Sequence, residues 1–330
     1  MAGSRPIDEL DSIRRESLTP GDRSVIRNLR EKGAKTARER ILELLDENTF
    51  VEVDAFVKHR SGDYEMHMHT PLCKHAIGEP EEYAAMAERR GLAGIVVTCH
   101  NPCNDGWSSG VRMSVAEFPQ YVALVERARK VWAGRVDIRL GIECDYVPGM
   151  EPWIETLLGM AEFHHVLGSV HPQLADYVAR FGTDDTAALA ATYFEHLAMA
   201  AETGFFDTIA HPDLIKNSDP AGWDAGQVMG DIRGCLDRIA AMGTAMEINT
   251  SGLNKPYPEM NPGPQMLAEM CERCIPVVMG ADAHDPVRVA ANYEDALDHI
   301  SAAGYNHTSI FLDRQRRDIP IEKARGQLAI

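Results

Sequence analysis

The chain reads as an α/β barrel, and three observations predict it. From Tyr64 onward a short apolar run followed by an amphipathic helix recurs roughly seven or eight times, the rhythm of βα units around a parallel sheet. Histidines and acids fall repeatedly at the carboxyl ends of the apolar runs, where βα barrels carry their chemistry. The length of 330 residues, with 45% hydrophobic and 25% charged residues, supports one large barrel plus an appendage.

The apolar runs predict strands over 64–69, 93–98, 137–143, 164–169, 206–210, 244–248, 275–280 and 308–312. Helical spacing predicts helices over 80–90, 115–132, 151–160, 185–203, 223–242, 263–273 and 287–302. Residues 1–60 are highly charged and read as a helical N-terminal extension, with Thr36 as N-cap of the stretch Ala37 to Asp46. The chain divides on this reading into an extension, 1–60, and a barrel, 61–330.

Charge and composition exclude several classes. With 33 Lys and Arg against 50 Asp and Glu, the formal charge of −17 repels nucleic-acid phosphates over most of the surface. No apolar stretch approaches a membrane span, and the first residues lead into charge, so a cytoplasmic protein is expected. Seven scattered cysteines point to reduced thiols, including Cys271 and Cys274 in a lone CxxC read as buried helix thiols.

Nine residues carry the chemistry. His67 and His69 end the first strand, and one intervening residue puts both rings on one side of an extended chain. His100 ends the second run, Glu143 the third, His171 the fourth and His211 the fifth. Asp282 and His284 end a late strand, and His75 lies just past the first. Seven of the 13 histidines with one Glu and one Asp thus share a topological position. Nine ligands exceed the four to six that one ion takes, so two or three divalent ions bridged by Glu143 are expected. Mixed imidazole and carboxylate suits zinc, iron or manganese.

The ordered motifs MHMHTPLCKHAIG at 66–78, VTCHNP at 97–102, GIECDYVPGME at 141–151, GSVH at 168–171, AHPDLIK at 210–216, EINTSGLNKP at 247–256 and MGADAHDP at 279–286 resemble the PHP (polymerase and histidinol phosphatase) superfamily, in its histidinol-phosphatase branch. The resemblance covers about 64–312. It implies a distorted (β/α)7 barrel. It further implies one ion on His67, His69, Glu143 and Asp282, a second on Glu143, His171 and His211, and a third on His75, His100 and His284. A separate stretch, 33–60, resembles the N-terminal segment of the carboxyltransferase subunit of biotin-dependent acyl-CoA carboxylases. That resemblance implies a docking or dimerisation arm, for a second copy or a carboxylase-like partner.

Together these readings predict a phosphoric monoester hydrolase acting on a small phosphorylated metabolite by attack of a metal-bridging hydroxide, with Glu143, Asp282 and His284 as catalytic candidates. Arg180, Lys216 and Lys255 are the cations placed to meet a phosphate, with Arg112 a further one. Asn254 stands where histidinol-phosphate phosphatases often carry a substrate-binding arginine, and the 172–176 loop also departs from that branch. Both point to a diverged substrate. The same metals would also serve a phosphodiesterase or a C–N hydrolase, and the arm leaves open a non-catalytic assembly module.

Overall fold

The fold is that of a computed structural model, which describes residues 62–328. By contact density the chain divides into Met1–Arg60 and Ser61–Ile330. The extension, its Thr36 cap and its docking role lie outside the described residues.

Eight parallel strands follow one another in chain order: β1 (Tyr64–Glu65), β2 (Gly94–Val97), β3 (Asp137–Asp145), β4 (His165–Ser169), β5 (Thr208–Ile209), β6 (Ala245–Asn249), β7 (Val277–Gly280) and β8 (His307–Leu312). An antiparallel β9 (Gln315–Pro320) pairs with β8 along its length. Strands β2, β4, β6 and β7 are buried at every position, as parallel strands covered by helices must be. Beyond the ends of β1 and β7, Met68 pairs with Ala283, with His69 N–H donating to Ala283 O at 2.9 Å and Ala283 N–H to His67 O at 3.1 Å. The first and seventh strands are therefore joined at the mouth of the sheet, where the candidate ligands lie.

The covering helices are α1 (Pro80–Arg89), α2 (Phe118–Val131), α3 (Glu151–Leu158), α4 (Ala175–Phe181), α5 (Thr186–Glu202), α6 (Met229–Met242), α7 (Pro264–Glu272), α8 (Tyr293–Ala302) and α9 (Ile321–Arg325). Their buried faces keep helical spacing. In α6 the buried residues Ile232, Cys235, Leu236 and Ile239 recur at steps of three and four, one stripe against the sheet. Helix ends follow local chemistry. Asp185 caps α5 by accepting from the N–H groups of Ala187 and Ala188, both at 3.1 Å, and Gly243 ends α6 in the left-handed region at φ 69°.

Several elements differ from expectation, among them the helix expected over 223–242, which begins only at Met229 after a run of turns. Helix α4 occupies a stretch read as loop, so Arg180 sits in the last turn of a helix. The helix expected from 287 starts at 293, because Ala290 and Asn292 hold positive φ after a 3-10 turn at Pro286–Arg288. Strand β9 was not expected, since its exposed, polar QRRDI shows no alternation. Cys274 is exposed in the left-handed region just past α7, and all the cysteines among the described residues are free thiols.

Candidate metal centre

The mouth of the sheet collects the nine residues into one cluster around Glu143. This carboxylate ends in β3 with no solvent exposure. Its Oε2 lies 2.7 Å from His100 Nδ1, 3.5 Å from His67 Nε2 and 3.6 Å from His69 Nε2. Its Oε1 lies 3.1 Å from His211 Nε2 and 3.5 Å from His171 Nε2. Asp282 Oδ1 closes one side at 3.0 Å from His69 Nε2 and 3.7 Å from His67 Nε2. On the outer side His75 and His284 bring their Nε2 atoms to 2.9 Å, and His100 completes a trio with them. His100 thus faces three groups, since it also meets His69 with Glu143 and Asp145 with His171.

Do these residues fit metal ions? Donors on a tetrahedral ion at about 2.05 Å would stand about 3.3 Å apart, and the nitrogen and oxygen separations of 3.0 to 3.7 Å around His67, His69 and Asp282 bracket that value. His100 Nδ1 and Glu143 Oε2 are buried and 2.7 Å apart, yet neither has a hydrogen-bond partner. Two buried, unpaired electron-pair donors this close to one another are what a cation satisfies. The fit is good.

The rings are aimed by atoms behind them. His67 Nδ1 lies 2.7 Å from Glu247 Oε1, and Glu247 Oε2 accepts from the N–H of His211 at 2.9 Å. His171 Nδ1 lies 2.6 Å from Asp145 Oδ1. His75 and His284 turn Nδ1 toward the carbonyls of Cys73 and Asp282 at 2.7 and 3.0 Å. Such partners fix the tautomer, so that the other nitrogen is left free to bind a metal. Below them Glu65 receives the N–H groups of His67, Ala281 and Ala290 and the hydroxyl of Tyr293. Burial pushes its carboxyl up to about 7, although these bonds oppose the shift. His211 and Asp282 hold positive φ, 29° and 48°, a strained backbone found where ligands are aimed.

Electrostatics follow from the crowding. Burial alone would raise the Glu143 carboxyl, but His100 and His67 outweigh it and hold it well below the usual carboxylate range. Burial likewise disfavours charge on His67 and His69, yet the surrounding carboxylates raise His67, and Asp282 together with Cys73 raises His69 to about 9. Burial lowers His100 to about 3 and also lowers His211 and His284. Neutral rings are ready ligands.

Glu65, Glu247 and Asp145 were not singled out from sequence. Glu65 and Glu247 are single acids inside buried strands, and Asp145 follows Glu143 by two residues on the same strand face. Gly280 guards this layer. A Cβ there would meet Glu247 Oε1 at 2.0 Å and His67 Cβ at 2.8 Å. Gly280→Ala is expected to cost about 1–3 kcal/mol, read as a lowered midpoint in thermal melts of the metal-free protein. An unchanged midpoint would show that the layer yields freely.

The expected phosphate-side cations divide. Lys255 lines the cavity of about 330 Å³ above the cluster, with Nζ 3.7 Å from Asp282 Oδ2. Lys216 is fully buried, and its Nζ donates to Asp213 at 3.1 Å, Glu259 at 3.1 Å and Met260 O at 2.6 Å. Its three N–H groups are spent, so it serves the fold rather than a ligand. Arg180 donates to Pro148 O at 3.1 Å and lies over Phe181, and Asn254 is exposed with Nδ2 3.5 Å from Ser251 O. Neither lines that cavity.

A parallel βα sheet with imidazoles and carboxylates gathered at its carboxyl mouth defines a barrel of the metal-site class. The profile of the PHP domain family matches residues 65–251, more than half of the chain, and the chain belongs to that family. It is 37% identical over 250 residues to a probable histidinol-phosphatase of Deinococcus radiodurans, covering 74% of this chain and 95% of that protein. Its fold is similar to that of a histidinol phosphate phosphatase of Lactococcus lactis solved with zinc, L-histidinol and phosphate, with a TM-score of 0.66 and 18% identity over 77% of this chain and 98% of that one. A short stretch is similar to another protein. Over 64 residues the chain is 47% identical to the biotin-dependent acetyl-/propionyl-coenzyme A carboxylase beta5 subunit of Mycobacterium tuberculosis, 19% of this chain and 12% of that subunit.

Proposed function

We propose that the protein hydrolyses a small phosphate monoester, in the manner of the histidinol phosphatases it is similar to, with two or three divalent ions held by His67, His69, His75, His100, Glu143, His171, His211, Asp282 and His284. One observation carries this: a single buried carboxylate, Glu143, meets five imidazoles at 2.7 to 3.6 Å, a centre suited to more than one cation. When bound, zinc, iron or manganese would neutralise phosphate oxygens and acidify water toward neutral pH.

The chain's own residues supply the rest. The cavity above the cluster admits a small ligand, and Lys255 is the cation that faces it without being locked in the fold. Asp282 is steadied by the Ser251 hydroxyl, which donates to its Oδ2 at 3.0 Å, so its other oxygen stays turned to His69. Burial holds His284 below its usual pKa, which favours it as a neutral ligand over a proton donor. Asn254 lies off the cavity, so the side chain standing for the usual arginine offers no charge, in keeping with a substrate other than histidinol phosphate.

Metal-loaded protein is expected to release phosphate from histidinol phosphate, sugar phosphates or p-nitrophenyl phosphate, and His69→Ala to abolish the release. Release no greater than that of the variant, or faster turnover of a bis-ester than of any monoester, would overturn the assignment. The carboxylase-like stretch supports a docking role for residues 1–60, toward a second copy or a carboxylase-like partner. Among the described residues no helix is long and apolar enough to cross a membrane, in keeping with a cytoplasmic site of action.

A further inference from the structure

Among the described residues, Arg112 is one of the largest fully buried side chains, 2% exposed. A guanidinium is costly to bury unless its N–H groups are used, so its partners reveal its purpose. One terminal nitrogen donates to both the carbonyl and the side-chain oxygen of Asn101, at 3.0 and 2.8 Å. The other donates to Asp145 Oδ2. Trp107 Nε1 donates to that same oxygen at 3.0 Å, and Asn101 Oδ1 in turn accepts the N–H of Asp145 at 3.1 Å. The far oxygen of Asp145 lies 2.6 Å from His171 Nδ1, and the far nitrogen of His171 lies 3.5 Å from Glu143 Oε1.

The loop between β2 and α2, which places His100 directly in the cluster, therefore also reaches His171 through the Asp145 carboxylate. His211, the other ring at Glu143 Oε1, has a buried Nδ1 without a hydrogen-bond partner, so His171 is the one ring of this pair that is oriented from behind. We infer that Arg112 is a positioning residue for the metal position at Glu143, His171 and His211. Its guanidinium holds Asp145, Asp145 fixes the tautomer and rotamer of His171, and occupancy of this one position depends on the pair. The inference rests on the metal-dependent reading above and adds a function for an arginine that lines the cavity and could otherwise be taken for a phosphate contact.

The test compares wild type, Arg112→Lys, Arg112→Ala, Asp145→Asn and the double variant Arg112→Ala/Asp145→Asn. Metal content is measured by mass spectrometry after dialysis against buffered zinc, cobalt spectra report coordination, and KM, kcat and inhibition by inorganic phosphate are measured at saturating metal. Arg112→Ala should lose one ion per chain at limiting zinc, with affinity there about 10–100-fold weaker. Excess metal should restore turnover with KM and phosphate inhibition unchanged. Arg112→Lys should fall between, because one ammonium cannot span Asn101 and Asp145. Asp145→Asn should reproduce the loss, and the double variant should be no worse than either single one.

Full metal content with raised KM and weaker phosphate inhibition would overturn the inference in favour of a phosphate contact. So would additive losses, or equal loss of every ion. If Arg112→Ala does not fold, Arg112→Lys and Asp145→Asn decide the matter by the same measurements. Metal content needs no turnover, so a protein that loses one ion on mutation but shows no phosphatase activity would sink the phosphatase assignment and leave this one standing.

Discussion

Replacing Glu143 by alanine is expected to lower phosphomonoester turnover by at least about a thousandfold and to cut bound metal by more than one ion per chain. The magnitude follows from the several kilocalories per mole that metal charge contributes to such a transition state, since about 1.4 kcal/mol is tenfold in rate. The breadth of the loss follows from geometry. One oxygen faces His67, His69 and His100, the other His171 and His211, so no other ligand can take its place at both. Glu143→Gln keeps the volume but offers one acceptor oxygen and no charge, and should be nearly as damaging. Metal analysis with steady-state kinetics checks both. Retention of all ions with activity within tenfold of wild type would show that Glu143 is not the bridge.

The clustering of the candidate ligands was readable because barrel topology turns a periodic sequence into a spatial statement: a histidine that ends an apolar run points to the mouth. His67, His100, His171 and His211 needed only that rule. The layer behind them was hidden. Glu65 and Glu247 each interrupt a buried strand with one acid, which reads as noise unless the ring it steers is already known. Lys216 misled for the opposite reason. A lysine just past a strand end reads as a cation free to meet a phosphate, and only the approach of Asp213, Glu259 and Met260 O shows it buried and fully paired. Helix α4 escaped because it is short and has no side-chain cap, and β9 because it is a polar edge strand.

Chelation is expected to strip the His75, His100 and His284 position first, and the gap to the inner position should widen as pH rises. Charge count sets the order. The outer trio offers neutral nitrogens only, its His75 is exposed, and His75 and His284 are steered by carbonyls. The inner position on His67 and His69 shares Glu143 and Asp282, two carboxylates against a divalent ion, and Glu247 steers His67. Protons set the slope. In the metal-free protein the carboxylates outweigh burial and hold His67 well above its usual value, and Asp282 with Cys73 holds His69 at about 9. An ion must displace those protons, so inner affinity should climb by roughly two protons per ion between pH 6 and 9. In the outer trio burial already keeps His100 at about 3 and His284 low, and only His75 is raised, by its contact with Cys73, so the slope there should be one proton or less. The linked stability has the opposite sign without metal. A histidine with a raised folded pKa stabilises fully below its unfolded value and loses that contribution as pH rises through the folded one, here from about 6.5 to about 9 for His69. The thermal shift on adding zinc should therefore grow with pH over this window. Competition with a chromophoric chelator at four pH values, with melts alongside, measures both. Equal slopes at the two positions, or an outer ion that leaves last, would mean that charge count and the carboxylates around His67 and His69 do not govern the centre.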